Sequence, residues 1–220
     1  MNKYIKKTED HVKSVLQKDG SGHDWYHIDR VRKMAKEIAK KEKADPLVVE
    51  LGALLHDIAD WKFNDGDLKK GAVVSEKWLK SLGLDQKTID QVSHIVENVV
   101  ENVSYKGAKV KNTMKSLEGK IVQDADRLDA MGAIGIARAF AYGGHKGRPI
   151  FDPKVKLNQL HKTFEEYKKG SASSVHHFYE KLLLIKDMMN TKEGKKLALR
   201  RRKLMQDYLK QFHAEWNAKV

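Results

Sequence analysis

The stretch "ALLHDIAD" (residues 53–60) begins as a buried helix would, then sets His56 and Asp57 side by side, with Asp60 one turn on. The neighbours of His56 at helical spacing are Gly52, Ala53, Ala59 and Asp60, so small side chains leave room beside the imidazole. A carboxylate buried without a partner loses its hydration with nothing in return, which makes Asp57 expensive in an apolar setting. Two kinds of partner would remove the cost. One is a salt bridge to any of the many lysines and arginines; the other is a divalent cation, which offsets carboxylate charge and binds neutral imidazole nitrogen directly.

Two further segments send the same residue types inward. In "HDWYHIDRVRKMAKEIA" (23–39), His27 shares a stripe with Val31, Met34 or Ala35, and Ile38, so it points towards a core. Arg30 stands one turn on at the edge of that stripe, and His23 lies four residues before His27. In "EGKIVQDADRLDAMGAIGIARAF" (118–140), Asp126 has Val122, Ala130 and Ala133 one turn away and also faces an apolar seam. Asp124 and Asp129 lie on other arcs, one expected in solvent and the other behind the site. Each residue taken singly has a plain structural reading, as a hydrogen-bonded core histidine or a salt-bridged acid. Three such intrusions into one interior cost least if they converge on a single cation. The alternative, in which salt bridges satisfy them all, predicts folding that is indifferent to chelators.

The elements that must carry these residues are helical nearly throughout, with no strand alternation. Amphipathic spacing predicts helices over about 3–18 and 24–42, separated by "KDGSG", and Asp45-Pro46 starts a third that reaches about Ile58. "NDGD" (64–67) reads as a loop, followed by helices over about 69–81 and 85–102. Residues 118–142 read as one long helix closed by Gly143-Gly144. "GGHKGRPIFDP" (143–153) holds two of the three prolines and is the clear linker, with helices expected behind it over about 154–169, 173–190 and 192–216. The expectation is an all-α fold with a main helical body over 1–150 and a helical C-terminal extension over 151–220 that packs on it.

Composition narrows the function. At 220 residues the chain can bury a sizeable core, and 43 lysines and arginines against 30 acids leave a net charge of +13, which favours anionic partners. The absence of cysteine excludes disulfides and thiolate metal sites. The N-terminal residues contain no apolar signal-like run, and the longest run of small or apolar uncharged residues, "AMGAIGIA" (130–137), is far too short to span a bilayer. A cytoplasmic protein without membrane attachment is expected. No GxxxxGK[ST] phosphate loop is present, which disfavours ATP-driven chemistry. "LALRRRKLMQ" (197–206) is basic and amphipathic, suited to a solvated helix face or, as second choice, to nucleic acid.

The order His27, then His56-Asp57, then Asp126, with the wording "HDWYHIDRVRKMA", "ELGALLHDIAD" and "GKIVQDADRLDAMGAIGIARAFAYGG", resembles the HD superfamily of metal-dependent phosphohydrolases. The match is to a stand-alone bacterial subgroup, some of whose members cleave nucleoside triphosphates to monophosphate and pyrophosphate; it covers roughly residues 20–150. The resemblance implies an all-α helical bundle with His27, His56, Asp57 and Asp126 as ligands of one divalent ion: Mn²⁺ first, with Mg²⁺, Fe²⁺, Co²⁺, Ni²⁺ or Zn²⁺ as alternatives. It implies a phosphohydrolase acting on a nucleotide or phosphate ester. The guanosine-tetraphosphate hydrolases of the superfamily carry HDxxED, where this chain has His56-Asp57-Ile58-Ala59-Asp60-Trp61 and so lacks the second acid.

On that reading, Asp60 orients or deprotonates an attacking water and Arg30 holds a phosphate. Further phosphate contacts are expected from Lys106, Arg127, Arg138, Lys146 and Arg148, and His23 is expected to touch substrate or leaving group. His94 is the candidate for a second-metal ligand in the middle of the chain, which favours a single metal. The competing reading is a regulatory or nucleic-acid-binding HD module with a structural metal, and the C-terminal helices could form a homodimer face.

Overall fold

The computed structural model describes residues 2–16, 24–58, 70–99, 113–157 and 172–219. The breaks expected at 18–22 and 64–67, and the candidate residues His23, Asp60 and Lys106, lie outside the described residues. Helix α1 covers Lys3–Leu16, α2 Trp25–Glu42, α3 Pro46–Leu55, α4 Lys70–Ser81 and α5 Gln86–Val99. Then come α6 (Leu117–Asp129), α7 (Gly132–His145), α8 (Ser174–Glu180), a 3-10 segment over Leu182–Met188 and α9 (Lys192–Trp216). The described residues contain no strand, and the class is all-α. None of their helices is long and apolar enough to cross a membrane.

The described chain forms two compact units, and the division falls inside α6 between Asp126 and Arg127. The first takes the residues up to 126 together with 190–193; the second takes 127–189 and 194–219.

In the first unit α2 and α3 pack together on buried Val31, Ala35, Ile38, Val48, Val49 and Leu51. Their starts are set locally. Asp24 accepts the His27 backbone N–H at 2.9 Å, and Asp45, followed by Pro46, accepts those of Leu47 and Val48 at 2.8 and 3.4 Å. Gly52 lets three helices approach closely: a Cβ there would lie 3.1 Å from Ile95 of α5 and 3.5 Å from Val122 of α6. Gly52→Val should therefore overpack the contact and cost about 1–3 kcal/mol, read as a lower thermal midpoint. An unchanged midpoint would mean that α5 can retreat freely.

The long helix expected over 118–142 is two helices. Met131 is extended (φ −123°, ψ 163°) and Gly132 is left-handed (φ +69°), so the chain turns between them. The alanines and glycines of "DAMGAIG" preserve helical spacing across the break, which is why periodicity missed it. The Gly143-Gly144 pair does not close α7, which runs on to His145. The expected 173–190 helix is likewise divided into α8 and the 3-10 segment. Residues 154–157 are turn and bend where a helix was expected to start, and the rest of that expectation, 158–169, lies outside the described residues.

The second unit buries Leu128, Met131, Val175, Phe178, Met205 and Leu209, with Phe178 beside Phe140 and Tyr208. The "RRRK" run contributes to it. Arg201 donates to the Leu128 carbonyl, which also accepts the Met131 N–H at 3.0 Å, and Arg202 donates to Leu183 at 3.3 Å.

Candidate metal centre

The site grows out of helix ends. His27 is the third residue of α2, and the cap by Asp24 holds its backbone N–H. Helix α3 stops at Leu55, and the chain turns over residues 56–58 where the sequence suggested continued helix. Ending there leaves the Ala53 carbonyl without its helical donor. The His56 ring supplies one, Nδ1 donating to that oxygen at 2.8 Å. A carbonyl can only accept, so the hydrogen sits on Nδ1 and the Nε2 lone pair is free to point elsewhere.

It points at acids. His56 Nε2 lies 3.7 Å from Asp57 Oδ2 and 3.9 Å from Asp126 Oδ1. His27 Nε2 lies 3.5 and 3.4 Å from the same two oxygens. The imidazoles meet edge to face, with centroids 5.4 Å apart. Both histidines and Asp57 are buried, whereas the Asp126 side chain is 25% exposed, so that carboxylate is the one in reach of solvent.

Burial opposes charge on Asp126, but the adjacent imidazoles of His27 and His56 outweigh it and hold the carboxyl below the usual aspartate range. Among the described residues no lysine or arginine comes within 4.0 Å of Asp126. No salt bridge among the described residues therefore accounts for it.

The donor set fits a cation. His27, His56 and Asp57 each offer a ligand atom, all within 4.8 Å of one another, and Asp126 adds a fourth to both imidazoles. Bonds of about 2.1 Å would set neighbouring ligand atoms about 3.0–3.4 Å apart, close to the 3.4–3.9 Å between each imidazole Nε2 and the two carboxylates. His56 Nε2 is buried with no hydrogen-bond partner, a costly state for an acceptor that faces two carboxylates unless something positive comes between them.

The other described candidates have contacts of their own. Arg30 sits one turn after His27 on α2 and is part-buried. Arg127 is buried and donates to the Met188 carbonyl at 2.5 Å, while Arg138 donates to Asp129 at 2.5 Å. Lys146 and Arg148 lie over the ring of Tyr142, at 5.6 and 5.4 Å from its centroid. The second-metal role weighed for His94 is disfavoured. The Asn98 amide donates to its carbonyl and to its Nδ1, at 2.9 and 3.1 Å, which places the hydrogen on Nε2.

Neither Asp124 nor Asp129 faces solvent; both are buried. Asp124 accepts from Asn190 and Thr191, partners 66 and 67 residues away, which no local spacing could have signalled.

Comparison with known proteins agrees with this geometry. A family model of the HD domain matches residues 24–131, the span that holds all four residues of the cluster. YpgQ of Bacillus subtilis, an uncharacterized protein, is 38% identical over 204 residues, 93% of this chain and 89% of its own. The crystal structure of an HD-superfamily hydrolase from Bacillus thuringiensis superposes with a TM-score of 0.77 at 42% identity, covering 97% of both chains. That of YpgQ in complex with ADP gives 0.75 at 35% identity, covering 97% of this chain and 95% of the other. With the four-residue cluster within the matched span and whole-chain likeness to these proteins, this chain belongs to the HD domain family of hydrolases.

Proposed function

We propose that the chain is a divalent-metal-dependent phosphohydrolase acting on a nucleotide, with cleavage of a (deoxy)nucleoside triphosphate to monophosphate and pyrophosphate as the leading reaction. The observation that carries this reading is the His56 tautomer. An imidazole locked with Nδ1–H on Ala53 and its Nε2 lone pair towards two carboxylates is prepared for a metal and for little else. The ADP bound by YpgQ, together with the net charge of +13, supports a nucleotide as the polyanionic substrate.

His27, His56, Asp57 and Asp126 would hold the ion, Mn²⁺ by preference. When bound, a divalent ion supplies Lewis acidity towards phosphoryl oxygen and lowers the pKa of bound water towards about 7. The chain's own residues do the rest. Burial of both imidazoles and Asp57 keeps bulk water from three of the four ligands, and the partly exposed Asp126 marks the side open to substrate. Arg30 is proposed to bind phosphate through its paired N–H groups, and Asp60 to orient or deprotonate the attacking water. Lys146 and Arg148 remain candidate phosphate contacts, with Arg127 and Arg138 behind them because each already donates to a neighbouring oxygen.

The test is a turnover panel of NTPs, dNTPs, nucleoside diphosphates, monophosphates and guanosine tetraphosphate with Mn²⁺, with and without chelator. Triphosphates are expected to turn over with release of pyrophosphate, and chelator to abolish it. Release of single phosphates would reassign the enzyme as a phosphatase. Failure on every substrate by metal-loaded protein would overturn nucleotide hydrolysis and return attention to nucleic acid binding.

A further inference from the structure

Residues 190–193, where α9 begins, are gripped from two directions by carboxylates on two different helices. Asp124 of α6, fully buried, takes four hydrogen bonds: from the Asn190 N–H at 2.8 Å and its Nδ2 at 2.9 Å, and from the Thr191 N–H at 2.8 Å and its Oγ1 at 2.7 Å. Glu42, at the end of α2, accepts the Glu193 N–H at 2.8 Å. The Asn190 amide also donates to Gln123 Oε1 at 3.2 Å, and Gln123 in turn donates to the Asn98 carbonyl at 3.1 Å. These N–H groups include donors that a helix N-terminus leaves without internal partners, and they sit at its positive end, so carboxylates suit them.

The two helices that supply the carboxylates also carry two of the four cluster residues. His27 is on α2, and Asp126 is on α6, two residues beyond Asp124. We infer that segment 190–193 is a clasp that ties α2 to α6 and sets the His27–Asp126 separation for the cation, with Asp124 and Glu42 as positioning residues of the metal centre. This rests on the metal reading above. The physical reason is rigidity: a carboxylate with four short hydrogen bonds fixes the rotation of α6 about its axis. That rotation decides whether Asp126 faces the imidazoles.

Mn²⁺ affinity of the full chain, measured by competition with a chelator, tests it. Asp124→Asn places an amide N–H against donors, and Glu42→Gln removes the charge; each is expected to weaken Mn²⁺ binding about tenfold or more. Val12→Ala, a core truncation in α1 outside the clasp, should lower the thermal midpoint and leave affinity within about twofold.

A second readout needs no variant. Coupling is reciprocal, so Mn²⁺ should slow amide hydrogen exchange at Asn190, Thr191 and Glu193 in the native chain. Clasp variants that bind as tightly as the native chain would overturn the inference, as would native-chain exchange unaffected by Mn²⁺. So would a Val12→Ala chain weakened as much as the clasp variants. A native chain that takes up no metal would overturn the metal reading itself, a result distinguishable from all of these.

Discussion

Asp57→Ala is expected to take up no Mn²⁺ at concentrations that saturate the native chain, and to lose at least about a thousandfold in nucleotide turnover. The factor corresponds to the several kcal/mol of charge stabilisation that a correctly held ion supplies to the reacting phosphate. Stability should move the other way. Without metal, the folded chain sets carboxylate oxygens of Asp57 and Asp126 3.7 and 3.9 Å from the His56 lone pair, with Asp57 itself buried. Removing Asp57 relieves that crowding, so the metal-free variant should melt at or above the native midpoint.

Metal should separate the two proteins. At a hundred times its dissociation constant Mn²⁺ adds about 2.7 kcal/mol to the native chain, a rise of roughly 5–10 °C for a chain of this size. Asp57→Ala should show none. A variant that keeps the full Mn²⁺-dependent rise would remove Asp57 from the ligand set. One that is unfolded with or without metal would mean that Asp57 serves the fold.

Arg32→Met should be the most destabilising single change that leaves the metal residues untouched. The Arg32 side chain is 10% exposed and joins three helices of the first unit: Nη1 donates to Glu9 of α1 at 3.0 Å, and Nε and Nη2 both reach Glu50 Oε2 of α3 at 3.0 Å. Removing one member of such a group leaves buried charge without its partner, at a cost of about 3–5 kcal/mol. Lys13 stays with Glu9, and Lys36 stays 3.2 Å from Glu50, which argues for the lower end of that range. The expected loss is about 3 kcal/mol, or roughly 6–12 °C in thermal midpoint. A loss within experimental error would mean that the lysines suffice.

The pH dependence has a definite sign. Hydrogen bonding from Lys13, with further help from Arg32, outweighs burial and holds the Glu9 carboxyl below its ordinary value of 4.5. The unfolded chain therefore binds a proton at Glu9 before the folded chain does. This contribution is complete above about pH 4.5 and disappears as acid titrates the folded-state carboxyl. Arg32→Met should flatten the acid limb of stability against pH, and a limb of unchanged steepness would assign it to other carboxylates.

Helix α2 was legible almost to the residue, because Asp24 at its start and the His27–Val31–Ile38 stripe are local signals. The same holds for α3 after Asp45-Pro46, and for α9, where amphipathic spacing runs unbroken over 192–216. The break at Ala130-Met131 was not legible. A left-handed glycine among small residues leaves the apolar spacing intact, and its φ is visible only in the backbone. The inward direction of His27 and Asp126 could be read from spacing, but their separation of 3.4 Å could not. The expectation that one of Asp124 and Asp129 faces solvent failed for the same reason, since the Asp124 partners Asn190 and Thr191 come from a distant part of the chain.

The amino-acid sequence by itself determined the helical class, the family and the residue types with affinity for a cation, because helix periodicity, capping and short motifs act over a few neighbouring residues. The tertiary structure decided which hydrogen the His56 ring offers, and which acids are tied to distant partners and which lie beside the imidazoles. Those outcomes depend on distances between residues far apart in the chain. His56 states the difference: its identity is written at one position, but its Nε2 turns to the acids only because α3 ends where the ring can donate to Ala53 and α6 brings Asp126 to within 3.9 Å.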